Sequence, residues 1–290
     1  MWRIRDWFTN AFLAIRLWFY VTFNPKRFKG VDNPKEKKGW DMTFNDEFDQ
    51  GKLDRKKWKT DTYFGLRFHP NNIVDKGVAP DMYYGDNMFE FDGSVMKQKA
   101  TNEPKKIKYV DWDGKDWGWF TIPYRVGQID SSKSFNQKYG YWEIKSKITP
   151  EPGSWPAFWM VSTEEYPPEA DVYEIYTGKK WGMKTFASNF HWRDNPDNEN
   201  DPKLMNPVSH RVLDVSKDFH TYAWEWQPNK MKIYYDNMLV RVCTNPKVIA
   251  QFRTPMHVII NNGVYPEQGA AGANYPTYHE VDYVRVYKKK

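Results

Sequence analysis

Two periodicities divide the chain. In residues 1–23, Ile4, Trp7, Phe8, Ala11, Phe12, Ile15, Trp18 and Phe19 recur at helical spacing, which predicts an amphipathic α-helix. Arg16 interrupts the apolar run and no small-residue cleavage site follows it, so the segment reads neither as a membrane span nor as a cleaved signal peptide. Two placements stay open: in a membrane interface, or packed against its own domain or a partner protein. Residues 24–38, with two prolines and many lysines, read as a basic linker. From Trp40 onward the pattern changes to short runs rich in Val, Ile, Tyr, Phe and Trp, separated by Gly, Pro, Asn and Asp. Tyr139–Thr149, Phe219–Trp226, Lys230–Asp236, His257–Asn261 and His279–Tyr287 are examples, and together they predict an all-β sandwich of antiparallel strands.

A chain of 290 residues can bury a large core as one domain. Cys243 is the only cysteine, which rules out an intramolecular disulfide, and no Cys/His cluster has zinc spacing. The 15 Trp, 19 Tyr and 18 Phe in a chain of mean hydropathy −0.85 suit a sandwich whose rings fill the core and line a groove. Charge is unevenly placed. Residues 1–38 carry nine Lys/Arg and three acids, leaving 34 of each sign in the remaining 252 residues. The main body is therefore neutral, which argues against a nucleic-acid partner.

One segment concentrates acid chemistry. Pro168–Gly178, PEADVYEIYTG, places Glu169, Asp171 and Glu174 in one predicted strand. Alternation puts Glu169 and Asp171 on one face, and an extra residue around Val172–Tyr173 would bring Glu174 to the same side. Three acids on one face repel one another, so the arrangement calls for a use. Glycoside hydrolysis with retention is one, needing a nucleophilic carboxylate and an acid carboxyl roughly 5–5.5 Å apart. A solvated acidic edge or a hard-cation site would show the same spacing.

The sequence resembles glycoside hydrolase family 16, whose signature is Glu-x-Asp-x-x-Glu in its bulged form. Besides the triplet, the resemblance rests on Trp40–Trp58, Lys138–Ile148 with Gly153–Met160, Asp218–Val240 and Glu280–Tyr287. It implies a concanavalin A-like jelly roll of two curved antiparallel sheets over residues 39–290, with an open cleft for endo-hydrolysis. By match to the motif, Glu169 would be the nucleophile, Asp171 the assisting acid and Glu174 the general acid/base. Trp155 and Trp159 share strand parity and would stack on sugars. His191, Asn261 and Asn72 are further substrate-binding candidates.

The resemblance requires no cofactor. It allows a structural calcium on the convex side, for which no local motif is present, and it implies an extracellular or membrane-surface location. Ala170 stands where the family has an aliphatic residue, and Pro168 stands where many β-1,3-glucanases have Gly. Both leave the sugar open among β-1,3-glucan, mixed-linkage β-1,3-1,4-glucan, agar and carrageenan. The loops Asp75–Asp92 and Asn195–Pro207 are expected to wall the cleft. A sandwich that binds carbohydrate without turning it over is the rival from another class, and the intact triplet speaks against it.

Overall fold

The computed structural model describes residues 2–61, 82–110, 116–178, 182–195 and 203–290. Their short apolar runs form two large sheets. The back sheet has the order β17 (Met238–Cys243), β16 (Lys230–Tyr235), β15 (His220–Gln227), β9 (Gly140–Ile148), β19 (Thr277–Lys289), β4 (Val95–Thr101), β7 (Tyr124–Val126) and β2 (Met82–Tyr84). β1 (Trp40–Asp46) also pairs with β19, and β3 (Phe89–Asp92) with β4. The second sheet runs β13 (Lys203–Met205), β12 (Thr185–Arg193), β11 (Glu169–Glu174), β10 (Ser154–Ser162), β18 (Met256–Val264) and β8 (Gln128–Asp130), with β14 (Val208–Arg211) also on β12. β5 (Lys105–Val110) and β6 (Asp116–Ile122) make a separate antiparallel pair. Among the described pairs, β2 with β7 is parallel and the rest are antiparallel.

Alternation sorts each central strand into a core face and an outer face. Phe158 and Met160 of β10, Phe190 of β12 and Ile260 of β18 meet Trp142, Tyr222, Trp224 and Tyr235 of the back sheet in one buried cluster. Trp224 and Trp226 stack at 5.0 Å with ring planes 9° apart, and Tyr173 lies 4.4 Å from Tyr222 across the two layers. Such pairs add about 0.5–1.5 kcal/mol to the burial of their area. The result is a stiff floor beneath β10, β11 and β18.

The expected N-terminal helix is present as α1 (Trp2–Phe23), but it docks by its polar side. Asn10 accepts from the backbone N of Val242 and donates to its carbonyl, as a neighbouring strand would, at 2.8 and 2.9 Å. Asp6 accepts from Thr244 N, and Arg16 donates to Leu239 O. These side chains cover the edge of β17, whose unpaired backbone would otherwise face water. Leu13 and Leu17 are buried beneath the helix, while Ile4, Trp7, Phe8, Phe12, Ile15, Trp18, Phe19 and Phe23 stay exposed.

Residues 24–38 are not a free linker. Phe28, in a short 3-10 turn (Pro25–Phe28), is fully buried against Tyr235. Asn33 donates to Glu143, and the Asn33 and Lys35 carbonyls accept from Arg285 and Tyr287. The basic composition hid these few anchors, which fasten the segment to the outer face of the back sheet.

Candidate active site

The second sheet presents its outer face to a cleft with room of about 270 Å³. The strand carrying the acids owes its geometry to a bulge. Phe158 and Trp159 of β10 are consecutive, yet they pair with Tyr173 and Asp171, so Val172 is the extra residue. On the other side, Asp171 pairs with Asn189 and Glu174 with Ala187, three residues against two. Val172 and Tyr173 are both fully buried, and Glu169, Asp171 and Glu174 all line the cleft. The predicted extra residue is therefore present and has the predicted effect.

Each acid has its own partners. Asp171, 3% exposed, shares a hydrogen bond with Glu169 and lies 3.0 Å from His191 Nε2, which is 3.4 Å from Glu169. Glu174 accepts from Trp155 Nε1 at 3.0 Å and from the Tyr176 hydroxyl at 2.8 Å, both on Oε1. Asn206 N donates to Asn189 Oδ1, which turns the Asn189 amide nitrogen toward His191 Nε2 at 2.9 Å. His191 Nε2 thus stands within hydrogen-bond distance of both the Asn189 amide and Asp171.

All three carboxyls are pushed above their ordinary range. Burial is the main cause for each. Repulsion by Asp171 adds to it at Glu169, and repulsion by Glu174 adds to it at Asp171. At Glu174 the hydrogen bonds from Tyr176 and Trp155 pull the other way. The set therefore titrates jointly and holds fewer than three charges at neutral pH.

A raised carboxyl binds its proton more tightly folded than unfolded. The cost is absent below the unfolded value of about 4.3 for a glutamate and grows as pH rises toward the folded value. Glu169→Gln is accordingly expected to melt near wild type at pH 4 and a few degrees above it at pH 7.5. Circular-dichroism melts at the two values check this, and a variant that melts lower at pH 7.5 would contradict it.

Trp155 and Trp159 line the cleft as expected from parity. Trp155 stacks on Tyr176 at 5.8 Å, 18° from parallel, and meets Tyr265 edge-on. Trp159 donates to Asn261 Oδ1 at 2.8 Å, and Asn261 donates to Trp155 O, so Asn261 ties the Trp159 indole to the backbone of Trp155. Gly263 lies opposite Trp155, where an added Cβ would stand 3.0 Å from the Trp155 carbonyl. Of the two expected wall loops, Met82 and Tyr84 come from the first and Met205 from the second. Asn72 lies outside the described residues.

Sequence reasoning missed Tyr176, Asn189, Tyr166 and Arg241. The last is 1% exposed, donates to Ser188 O, Ser188 Oγ and Asn206 O, and lowers the Asp171 carboxyl from below. Among the described residues the one group with metal-ligand spacing is Glu169, Asp171 and His191, within 4.8 Å of one another in the cleft. The calcium expectation concerned the opposite side of the sandwich.

A bulged acidic strand over an aromatic cleft in a two-layer sandwich agrees with the family model. Residues 99–285 match glycosyl hydrolases family 16, and the chain belongs to that family. Over 285 residues it is 25% identical to a β-glucanase of Rhodothermus marinus, covering 89% of each chain. It is 28% identical over 170 residues to the endo-1,3-1,4-β-glycanase ExsH of Rhizobium meliloti, 57% of this chain and 33% of that one. The chain thus spans about a third of the length of that relative. The laminarinase catalytic domain of Thermotoga maritima superimposes with a TM-score of 0.65 at 24% identity, covering 87% of this chain and 100% of that one. That likeness shows the shared jelly-roll fold.

Proposed function

We propose that the protein is a retaining endo-glycosidase acting on a β-1,3- or mixed β-1,3-1,4-glucan by double displacement. The observation that carries this is the bulge at Val172, which puts three carboxyls with different partners on one cleft face. Glu169, ionised and hydrogen-bonded by protonated Asp171, attacks the anomeric carbon. The glycosidic C–O bond breaks as Glu174 Oε2 gives its proton to the leaving oxygen. Glu174, now a carboxylate, takes a proton from water, whose oxygen attacks the same carbon and releases Glu169 from the ester. Two inversions at one carbon leave its configuration unchanged.

The two hydrogen bonds on Glu174 Oε1 keep that carboxyl readier to give its proton than burial alone would. Trp155→Phe removes one donor and keeps a ring. The carboxyl should then rise, moving the alkaline limit of kcat/KM to higher pH; a limit that stays in place would remove Trp155 from this role. Support for glucan as substrate comes from the β-glucanase matched along nearly its full length.

The test is product analysis on laminarin, mixed-linkage β-glucan, agarose and κ-carrageenan, with Glu169→Gln as control. Oligosaccharides from a glucan by wild type only are expected. Release only from a galactan would reassign the substrate, and no release at all would favour a binding protein. Proton NMR of the first product should show the β-anomer, whereas an α-anomer would exclude double displacement.

A further inference from the structure

Helix α1 turns its apolar side outward, and its rotation is fixed. Asp6, Asn10 and Arg16 hold backbone groups of residues 239–244. Rolling the helix to bury its aromatic side would strip Val242 N and O of the partners they have. Trp7, Phe8, Phe12 and Ile15 are 62% to 66% exposed and continue through Trp18 to Phe23. This makes one uninterrupted apolar stripe along roughly 24 Å of helix.

Charge at the stripe's end narrows what covers it. Lys26, Arg27 and Lys29 follow the helix and are exposed, and none of the three has an acidic partner among the described residues. The helix's one acid, Asp6, faces inward on Thr244. Residues 1–38 carry the chain's whole net charge of +6. A long aromatic stripe ending in unopposed cations complements a surface with acyl chains beneath anionic phosphates. None of the described helices is long and apolar enough to cross a membrane. We infer that α1 seats the protein on an anionic lipid bilayer, its axis in the membrane plane and Lys26, Arg27 and Lys29 on the headgroup phosphates. This is independent of the hydrolytic assignment.

The full chain is mixed at about 0.1 M salt with vesicles of phosphatidylcholine alone or blended with phosphatidylglycerol, then followed by flotation and tryptophan emission. Wild type is expected to float with the blended vesicles with blue-shifted emission. The variant carrying Phe8→Asp, Phe12→Asp and Ile15→Asp should bind at least 100-fold more weakly with an unchanged melting temperature, since these side chains are exposed. Changing Lys26, Arg27 and Lys29 to Gln should weaken binding to the blended vesicles about 100-fold and leave binding to phosphatidylcholine unaltered. Three results overturn the inference. They are no flotation of wild type with blended vesicles, equal flotation of the triple-Asp variant, and a wild-type dimer on light scattering that the triple-Asp change dissolves.

Discussion

Glu169→Gln is expected to lower kcat/KM on β-glucan by at least about four orders of magnitude, the scale on which a covalent nucleophile is lost. The amide keeps the size and one acceptor of the carboxyl, and Val172 and Tyr173 beside it are held by the core, so the strand should keep its course. Binding of oligosaccharide should survive within a few-fold, because Trp155, Trp159 and Asn261 are untouched. Glu174→Gln is expected to fail differently. It removes the proton given to the leaving oxygen, so the loss should be large on glucan and much smaller on an aryl glycoside whose leaving group needs no proton. Steady-state kinetics on both substrates separate the roles. Equal losses on both substrates in both variants would leave the assignment of nucleophile and acid without support, and near-normal activity of either would refute it.

Arg241→Met should cost about 3 kcal/mol of stability, read as a shift of the denaturation midpoint. The guanidinium is buried with its fork on the carbonyls of Ser188 and Asn206 and its plane 4.4 Å from the Phe190 ring. Met fills similar volume but leaves those carbonyls without donors, at about 1–3 kcal/mol each when buried. Removing a buried cation returns part of that cost. The substitution also removes a positive charge that lowers the Asp171 carboxyl. Because Asp171 reacts in its protonated form, the alkaline-side limit of activity should move upward, and this limit distinguishes an electrostatic role from a merely structural one. Arg241→Lys, keeping the charge without the fork, should restore the pH limit more than the stability. If the Met variant unfolds at the same midpoint as wild type, Arg241 is not holding the β12 edge.

The acids were legible in the sequence because alternation is strict and its one fault is local. Counting from Asp171 to Glu174 demands a single extra residue at Val172 or Tyr173, and the pairing with β10 assigns it to Val172. Trp155, Trp159 and Asn261 followed from parity and resemblance and reach the cleft. Arg241 was not legible for the same physical reason run in reverse. A register shift between Ile233 and Tyr234 makes Val240 and Arg241 consecutive buried residues, so simple alternation in β17 sends the guanidinium to the wrong side. The partners of Glu174 and His191 depend on which strands become neighbours, which no local pattern states. The helix was visible as a helix, but its apolar stripe left open whether that side meets a membrane or its own domain. Only the edge of β17 reveals why Asp6 and Asn10 face inward.

The bulge also bears on how such a strand can change length. Removing Val172 alone would leave Glu169, Asp171 and the final glutamate at intervals of two, the natural period of a strand, and all three would still face the cleft. The reacting face is indifferent to that deletion, while the core face loses one of two adjacent buried side chains. A lineage could therefore gain or lose this residue by adjusting packing beneath the strand, with the chemistry above it preserved at each step.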